Sequence, residues 1–173
     1  MNGKQLELDK RYLRMARIWA ENSYCTRRKV GALIVKDKMI ISDGYNGTPS
    51  GFENIGETVE CSCKWVHGCI KTGTPTDEAK SVEHCSGCSY AKLVTKPYVL
   101  HAEANAITKI AKSGNNSDGA TLYVTTSPCM ECSKLIIQSG IRRVVYSESY
   151  RLTDGIDLLK RAGVEVVLLE LEE

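Results

Sequence analysis

His101-Ala102-Glu103 opens an apolar helical pattern, and Pro128-Cys129-Met130-Glu131-Cys132 follows the strand-like run Thr121-Leu122-Tyr123-Val124-Thr125. One imidazole and two thiols at C-x-x-C spacing make three soft ligands. That is the count of a catalytic zinc site, which keeps its fourth tetrahedral position for water. Cys129 and Cys132, three residues apart, share one face if the segment is helical. Ser127 reads as the N-cap and Pro128 as the first helical residue, which puts the thiols at a positive helix end. His101 is expected to open its own helix. Two such N-termini would offset the charge of two thiolates and help to hold them deprotonated.

Glu103 is the fourth part of the constellation. H-x-E followed by P-C-x-x-C is the arrangement in which a glutamate beside the metal, and not bound to it, moves protons during nucleobase deamination. The chemistry needs that division. Zinc lowers the pKa of its water to about 7, and a neighbouring carboxylate can take the proton and deliver it to the ring nitrogen and the departing ammonia. A structural zinc, or a redox C-x-x-C beside an unrelated core histidine, would give Glu103 no task.

The elements that must position these groups are legible in the periodicity. Leu8, Tyr12, Met15, Ala16, Trp19 and Ala20 predict an amphipathic helix over 7–22. Val30 to Val35 is a strand, Lys36-Asp37-Lys38 a tight turn and Met39 to Asp43 its hairpin partner, with Gly44 to Gly51 a loop by composition. Helix 101–112 follows, with Ala102, Ala106, Ile107 and Ile110 inward. Strand 121–125, helix 129–139, strand 142–147, helix 153–162 and strand 164–170 complete the chain. This order predicts an α/β fold, a three-layer α/β/α sandwich around a mixed five-stranded sheet. At 173 residues the chain is expected to form one domain, 1–173.

Residues 52–98 interrupt that pattern. They show little apolar periodicity but carry Cys61, Cys63, Cys69, Cys85 and Cys88 with His67 and His84. So long a loop in a compact domain calls for a function or a metal. Lys and Arg number 23 against 21 Asp and Glu, a net +2, so no broad nucleic-acid footprint is expected. No 18-residue apolar run is present and Met1 to Lys10 is polar, so neither a membrane span nor a signal segment is expected. Eight cysteines then read as reduced, metal-binding thiols of a cytoplasmic protein rather than a disulfide scaffold.

With these pieces placed, the chain resembles the deoxycytidylate (dCMP) deaminase family of the cytidine-deaminase-like superfamily. The resemblance runs through Cys25-x-Arg27-x-x-Val30-Gly31-Ala32, then Gly44-Tyr45-Asn46-Gly47 with Pro49 and Gly51. It continues in His101-Ala-Glu103-Ala-Asn105-Ala-Ile107, Tyr123-Val-Thr-Thr-Ser127-Pro128-Cys129-x-x-Cys132 and Gln138-Ser-Gly140-Ile141. It implies zinc-dependent hydrolysis of dCMP to dUMP, which supplies thymidylate synthesis, by a homo-oligomer, a hexamer or a dimer. It further implies activation by dCTP, with Mg²⁺ accompanying the nucleotide, and inhibition by dTTP. Asn46 is then expected on the sugar 3′-hydroxyl and Arg27 on the 5′-phosphate, a match of forked guanidinium to phosphate. Ala102, Ser127 and Tyr150 are expected near the nucleotide, and Gly44, Tyr45, Asn46 and Gly47 near an effector.

Some members of this family hold a second, structural zinc near the insert, with the cysteine matching Cys25 among its ligands. Here the candidates are Cys25, Cys61, Cys63, Cys69, Cys85 and Cys88, of which Cys85-Ser-Gly-Cys88 has zinc-knuckle spacing. This chain departs from many relatives in reading Asn54-Ile55-Gly56-Glu57 where they carry a cysteine. Two other readings compete: another zinc deaminase, acting on tRNA adenosine or in the riboflavin pathway, and a zinc-stabilised binding module with a vestigial site. The first of these predicts a basic face for RNA, which the dispersed charges do not advertise. The second leaves Glu103 unexplained.

Overall fold

The computed structural model describes residues 3–61, 91–150 and 153–171. Its elements run α1 (Gly3–Ala20), β1 (Gly31–Lys36), β2 (Met39–Tyr45), β3 (Glu57–Cys61), β4 (Ala91–Thr95), α2 (Ala102–Ile110), β5 (Thr121–Thr126), α3 (Met130–Gln138), β6 (Arg143–Glu148), α4 (Asp154–Arg161) and β7 (Glu165–Leu168). Five strands form one mixed sheet in the order β2-β1-β5-β6-β7. β1 is antiparallel to both β2 and β5, while β5, β6 and β7 are parallel. The parallel strands are joined through α3 and α4, as parallel neighbours require a crossover. The expected three-layer sandwich is observed.

Two apolar layers fill the sheet's faces. On one, Ala102, Ala106 and Ile110 of α2, Ile136 of α3, and Ile156 and Leu159 of α4 meet Ala32, Ile34, Leu122, Val124 and Val144. On the other, Leu13 and Ala16 of α1 meet Leu33, Val35, Tyr123 and Val145. The alternation along β1 and β5 sends successive side chains to opposite layers. Helix α1 presses onto β1 at Gly31, where a Cβ would fall on the Ala16 carbonyl and within 2.7 Å of Ala20 N. Helix α2 does the same at Gly44, where a Cβ would meet the Ala102 carbonyl and stand 2.6 Å from Ala106 N. Glycine is required there by close approach.

The apolar stripe read for the first helix is rotated in the structure. Met15 and Trp19 are 43% and 39% exposed, and the buried face is Asp9, Leu13, Ala16 and Ala20. The reason is Asp9, a charge in a core position that hydropathy misses. Its carboxylate accepts from Tyr123 Oη at 2.7 Å, from Gln5 Nε2 at 2.8 Å and from both Arg143 terminal nitrogens at 2.9 and 2.8 Å. Gly44 and Tyr45, read as loop, are the last residues of β2. The cysteine-rich insert is also not loop at its base. Glu57–Cys61 and Ala91–Thr95 pair antiparallel as a second, two-stranded sheet, and Glu57 faces Thr95 across it. The side chains of Cys61, Cys63, Cys69, Cys85 and Cys88 lie outside the described residues.

Burial alone would raise the Asp9 carboxyl, but the hydrogen bonds from Arg143, Tyr123 and Gln5 outweigh it and hold it below its usual value. A carboxyl lowered on folding stabilises above its unfolded pKa and loses that contribution as pH falls through the folded one. Arg143→Met should therefore lower stability by about 3–5 kcal/mol near neutral pH, because it strands a buried charge. The deficit should shrink as pH falls, because the buried Asp9 of the variant, without Arg143, takes up a proton at a higher pH than the parent's does. Urea midpoints for both proteins at pH 7 and pH 3.5 measure it.

Candidate active site

The parallel strands end where three chemical groups meet, which is where open α/β sheets place ligands. His101 is the N-cap of α2 and Cys129 the N-cap of α3, each with extended backbone and no side-chain cap. Their carbonyls accept the first helical hydrogen bonds, from Asn105 N at 2.9 Å and Ser133 N at 2.9 Å. The expected cap at Ser127 is displaced by two residues. Ser127 N still donates to Glu148 O at 2.8 Å along the β5–β6 edge, and its Oγ accepts from Tyr150 N at 2.7 Å. With that hydroxyl occupied, the helix starts after Cys129. The positive ends of α2 and α3 both point at the thiols, as the spacing implied.

The His101 Nδ1 atom lies 3.4 Å from Cys129 Sγ and 3.4 Å from Cys132 Sγ. All three ligand atoms fall within 4.8 Å of one another. A tetrahedral zinc with bonds near 2.0–2.1 Å to nitrogen and 2.3 Å to sulfur separates them by about 3.6 Å, so the donors fit zinc in kind and in spacing. Between themselves the three share protons. Cys129, accepting from the Cys132 thiol and from His101, is drawn down to about 3. Cys132 is pushed up by that same hydrogen bond and by burial. His101 is raised, chiefly through its bond to Cys129.

Glu103 stands in the first turn of α2, 4% exposed, and burial pushes its carboxyl up. A cavity of about 450 Å³ opens in front of it. Its lining brings together His101, Glu103 and Cys129 with every residue expected near a nucleotide: Arg27, Asn46, Ala102, Ser127 and Tyr150. Asn46 is anchored, its Oδ1 accepting from Val30 N at 2.8 Å and its Nδ2 donating to Arg28 O at 2.9 Å. The amide keeps one lone pair and one N–H beyond these two bonds. Arg28 forms an ion pair with Glu148 at 2.6 Å and lies 5.8 Å from the Tyr150 ring centroid. Arg27 Nη1 donates to Thr95 Oγ1 at 3.2 Å.

Sequence reasoning missed Arg28, Glu57, Thr95 and Val99 in this lining. Arg28 adjoins a residue already singled out. Glu57 and Thr95 lie at the two ends of the insert and Val99 just beyond it, where no motif marks them. Cys25 is buried with its thiol against Gly56, and burial pushes its pKa up. Among the described residues, His101, Cys129 and Cys132 form the group that could hold a metal, and Cys25 is not in it.

The family model for the cytidine and deoxycytidylate deaminase zinc-binding region matches residues 6–148. The deoxycytidylate deaminase of enterobacteria phage T2 is 37% identical over 169 residues, covering 89% of this chain and 88% of its own. The human deoxycytidylate deaminase is 34% identical over 152 residues, covering 86% of this chain and 70% of its own. The crystal structure of dCMP deaminase from cyanophage S-TIM5 in complex with dCMP and dUMP superposes with a TM-score of 0.71 at 40% identity. It covers 94% of this chain and 97% of that one.

Because zinc must displace protons from this triad, its affinity should fall as pH is lowered. Cys132→Ala should lose this zinc, while Glu103→Gln should retain it. Zinc analysis of both variants after identical purification checks the assignment of ligand and non-ligand.

Proposed function

The chain belongs to the deoxycytidylate deaminase family, and on that premise we propose that it hydrolyses dCMP to dUMP and ammonia. The observation that carries this is one cavity lined by part of the zinc triad, a buried carboxyl and a guanidinium. His101, Cys129 and Cys132 would hold the zinc, which would supply a Lewis acid able to bring the pKa of water to about 7. As the oxygen of water adds to C4 of cytosine, Glu103 takes one proton from that water and passes it to N3. It then carries the second proton to the amine as the C4–N bond breaks. Its buried setting suits that alternation, since burial raises it toward the working pH. In this reading Asn46 holds the sugar hydroxyl, Ala102, Ser127 and Tyr150 contact the nucleoside, and Arg27 takes the 5′-phosphate. Arg28 is engaged by Glu148.

The same proposal includes regulation by dCTP and dTTP, with Mg²⁺ accompanying the nucleotide, in a cytoplasmic homo-oligomer that supplies thymidylate synthesis. A second cavity of about 260 Å³ supports the regulatory part. Tyr45 and Gly47 line it, while Asn46 lines the first. Gly47 pairs with Leu100, one residue before His101, and Tyr45 O accepts from Asn105 of α2 at 3.0 Å. A ligand in the second cavity would thus bear on the helix that carries His101 and Glu103. A structural zinc on Cys25 with cysteines of the insert would bring the content to about two per chain. Among the described residues no helix is long and apolar enough to cross a membrane.

Glu103→Gln should bind dCMP yet lose about 10²–10⁴-fold in kcat, the scale of general acid–base catalysis. Steady-state ammonia release checks it, and near-normal turnover would end this mechanism. Arg27→Ala should lose about 1.5–3 kcal/mol in kcat/KM on dCMP, as for a charge-assisted hydrogen bond, and far less on deoxycytidine. Equal losses on both would move Arg27 from the phosphate to the fold. Sigmoidal dCMP kinetics that turn hyperbolic with dCTP would express coupling between the two cavities, and kinetics indifferent to both effectors would remove it.

A further inference from the structure

Glu57 and Thr95 are cross-strand partners at the root of the β3–β4 pair, and both hold Arg27. Glu57 is 8% exposed, and its Oε1 accepts from Thr26 N at 3.0 Å and from Arg27 N at 3.2 Å. Thr95 Oγ1 accepts from Arg27 Nη1 at 3.2 Å. The backbone of Arg27 is therefore held by one strand of the hairpin and its guanidinium by the other. Both strands also line the active-site cavity. We propose that the Glu57–Thr95 pair is a positioning device, which aims Arg27 into the cavity and makes preference for a nucleotide over a nucleoside depend on docking of the hairpin.

The physical argument is conformational entropy. A free arginine side chain carries rotamer entropy that a phosphate must overcome. A guanidinium already fixed at one nitrogen by Thr95, on a backbone already fixed by Glu57, has less left to lose. A carboxylate beside an anion site is unfavourable in itself. Glu57 offsets that by accepting two backbone N–H groups, from Thr26 and Arg27. The hairpin thus contributes order rather than charge, and the positive charge facing the phosphate remains that of Arg27.

This inference rests on the dCMP reading, and turnover of dCMP by the parent protein tests that reading separately. Thr95→Val keeps the shape and removes the acceptor. It should lower kcat/KM for dCMP about 3- to 10-fold, the scale of one hydrogen bond, mainly through KM, with a much smaller loss on deoxycytidine. Placed on Arg27→Ala, the same change should have little further effect, because its partner is gone. Glu57→Gln, which keeps an acceptor oxygen, should lose less on dCMP than Glu57→Ala. Calorimetric affinity for dUMP should follow the same order in all these variants. Thr95→Val losing equally on dCMP and deoxycytidine, or losing as much without Arg27 as with it, would overturn the proposal. A parent protein inert on dCMP that binds dUMP with this order of affinities would instead reject the reaction and keep the positioning.

Discussion

The 3.4 Å approach of one imidazole nitrogen to two thiols requires α2 and α3 to begin side by side at the end of β5, and every layer of the molecule bears on that requirement. Helix α2 reaches its place because Gly44 offers no side chain where the Ala102 and Ala106 backbone rests on β2. Ser42 ties the contact with a 2.6 Å hydrogen bond to the Ala106 carbonyl. Behind α3, Gly155 of α4 sits so close that a Cβ would come within 2.7 Å of Ser133 Oγ. Small residues on both sides of the metal-binding helices thus convert sheet geometry into ligand geometry. An error of an ångström in either packing would open the triad beyond zinc's reach.

Charge is separated as carefully as volume. The thiols, the imidazole and Glu103 gather where two helix N-termini supply partial positive charge without side-chain caps. On the opposite face of the sheet, Asp9 and Arg143 form their own set with Tyr123, Gln5 and Glu165. The apolar layer of the sheet stands between the two groups. Burial raises Glu103 more than the neighbouring His101 lowers it, whereas the bonds from Arg143, Tyr123 and Gln5 hold Asp9 low. One buried carboxyl is thereby suited to exchanging a proton and the other to keeping its charge.

The active-site cavity draws its walls from different parts of the chain. The metal end comes from α2 and α3, elements of the sandwich. The far end comes from the Cys25-to-Val30 link, the Asn46 loop and the small sheet of β3 and β4. Asn46 fastens the first two together through Val30 N and Arg28 O, and Glu57 fastens the third to the first. The donor group and Glu103 are therefore tied to the geometry of a sheet, and the far wall of the cavity to segments that hold one another by hydrogen bonds.

What the sequence by itself determined was local. H-A-E and P-C-x-x-C mark out a three-donor group and a carboxyl beside it because metal chemistry restricts residue type and spacing within one turn of helix. Strand and helix order followed from periods of two and 3.6 in apolar residues. The sandwich followed from that order. Tertiary structure decided whatever depended on partners far along the chain. Asp9 took a core position because Arg143, 134 residues away, neutralises it. The helix start moved past Ser127 because Tyr150 claims its hydroxyl. Glu57 and Thr95 reached the cavity because the ends of the insert pair as strands. A hydrogen bond between distant residues leaves no period or spacing in the sequence, so its partners become visible only when the fold brings them within 3 Å or so.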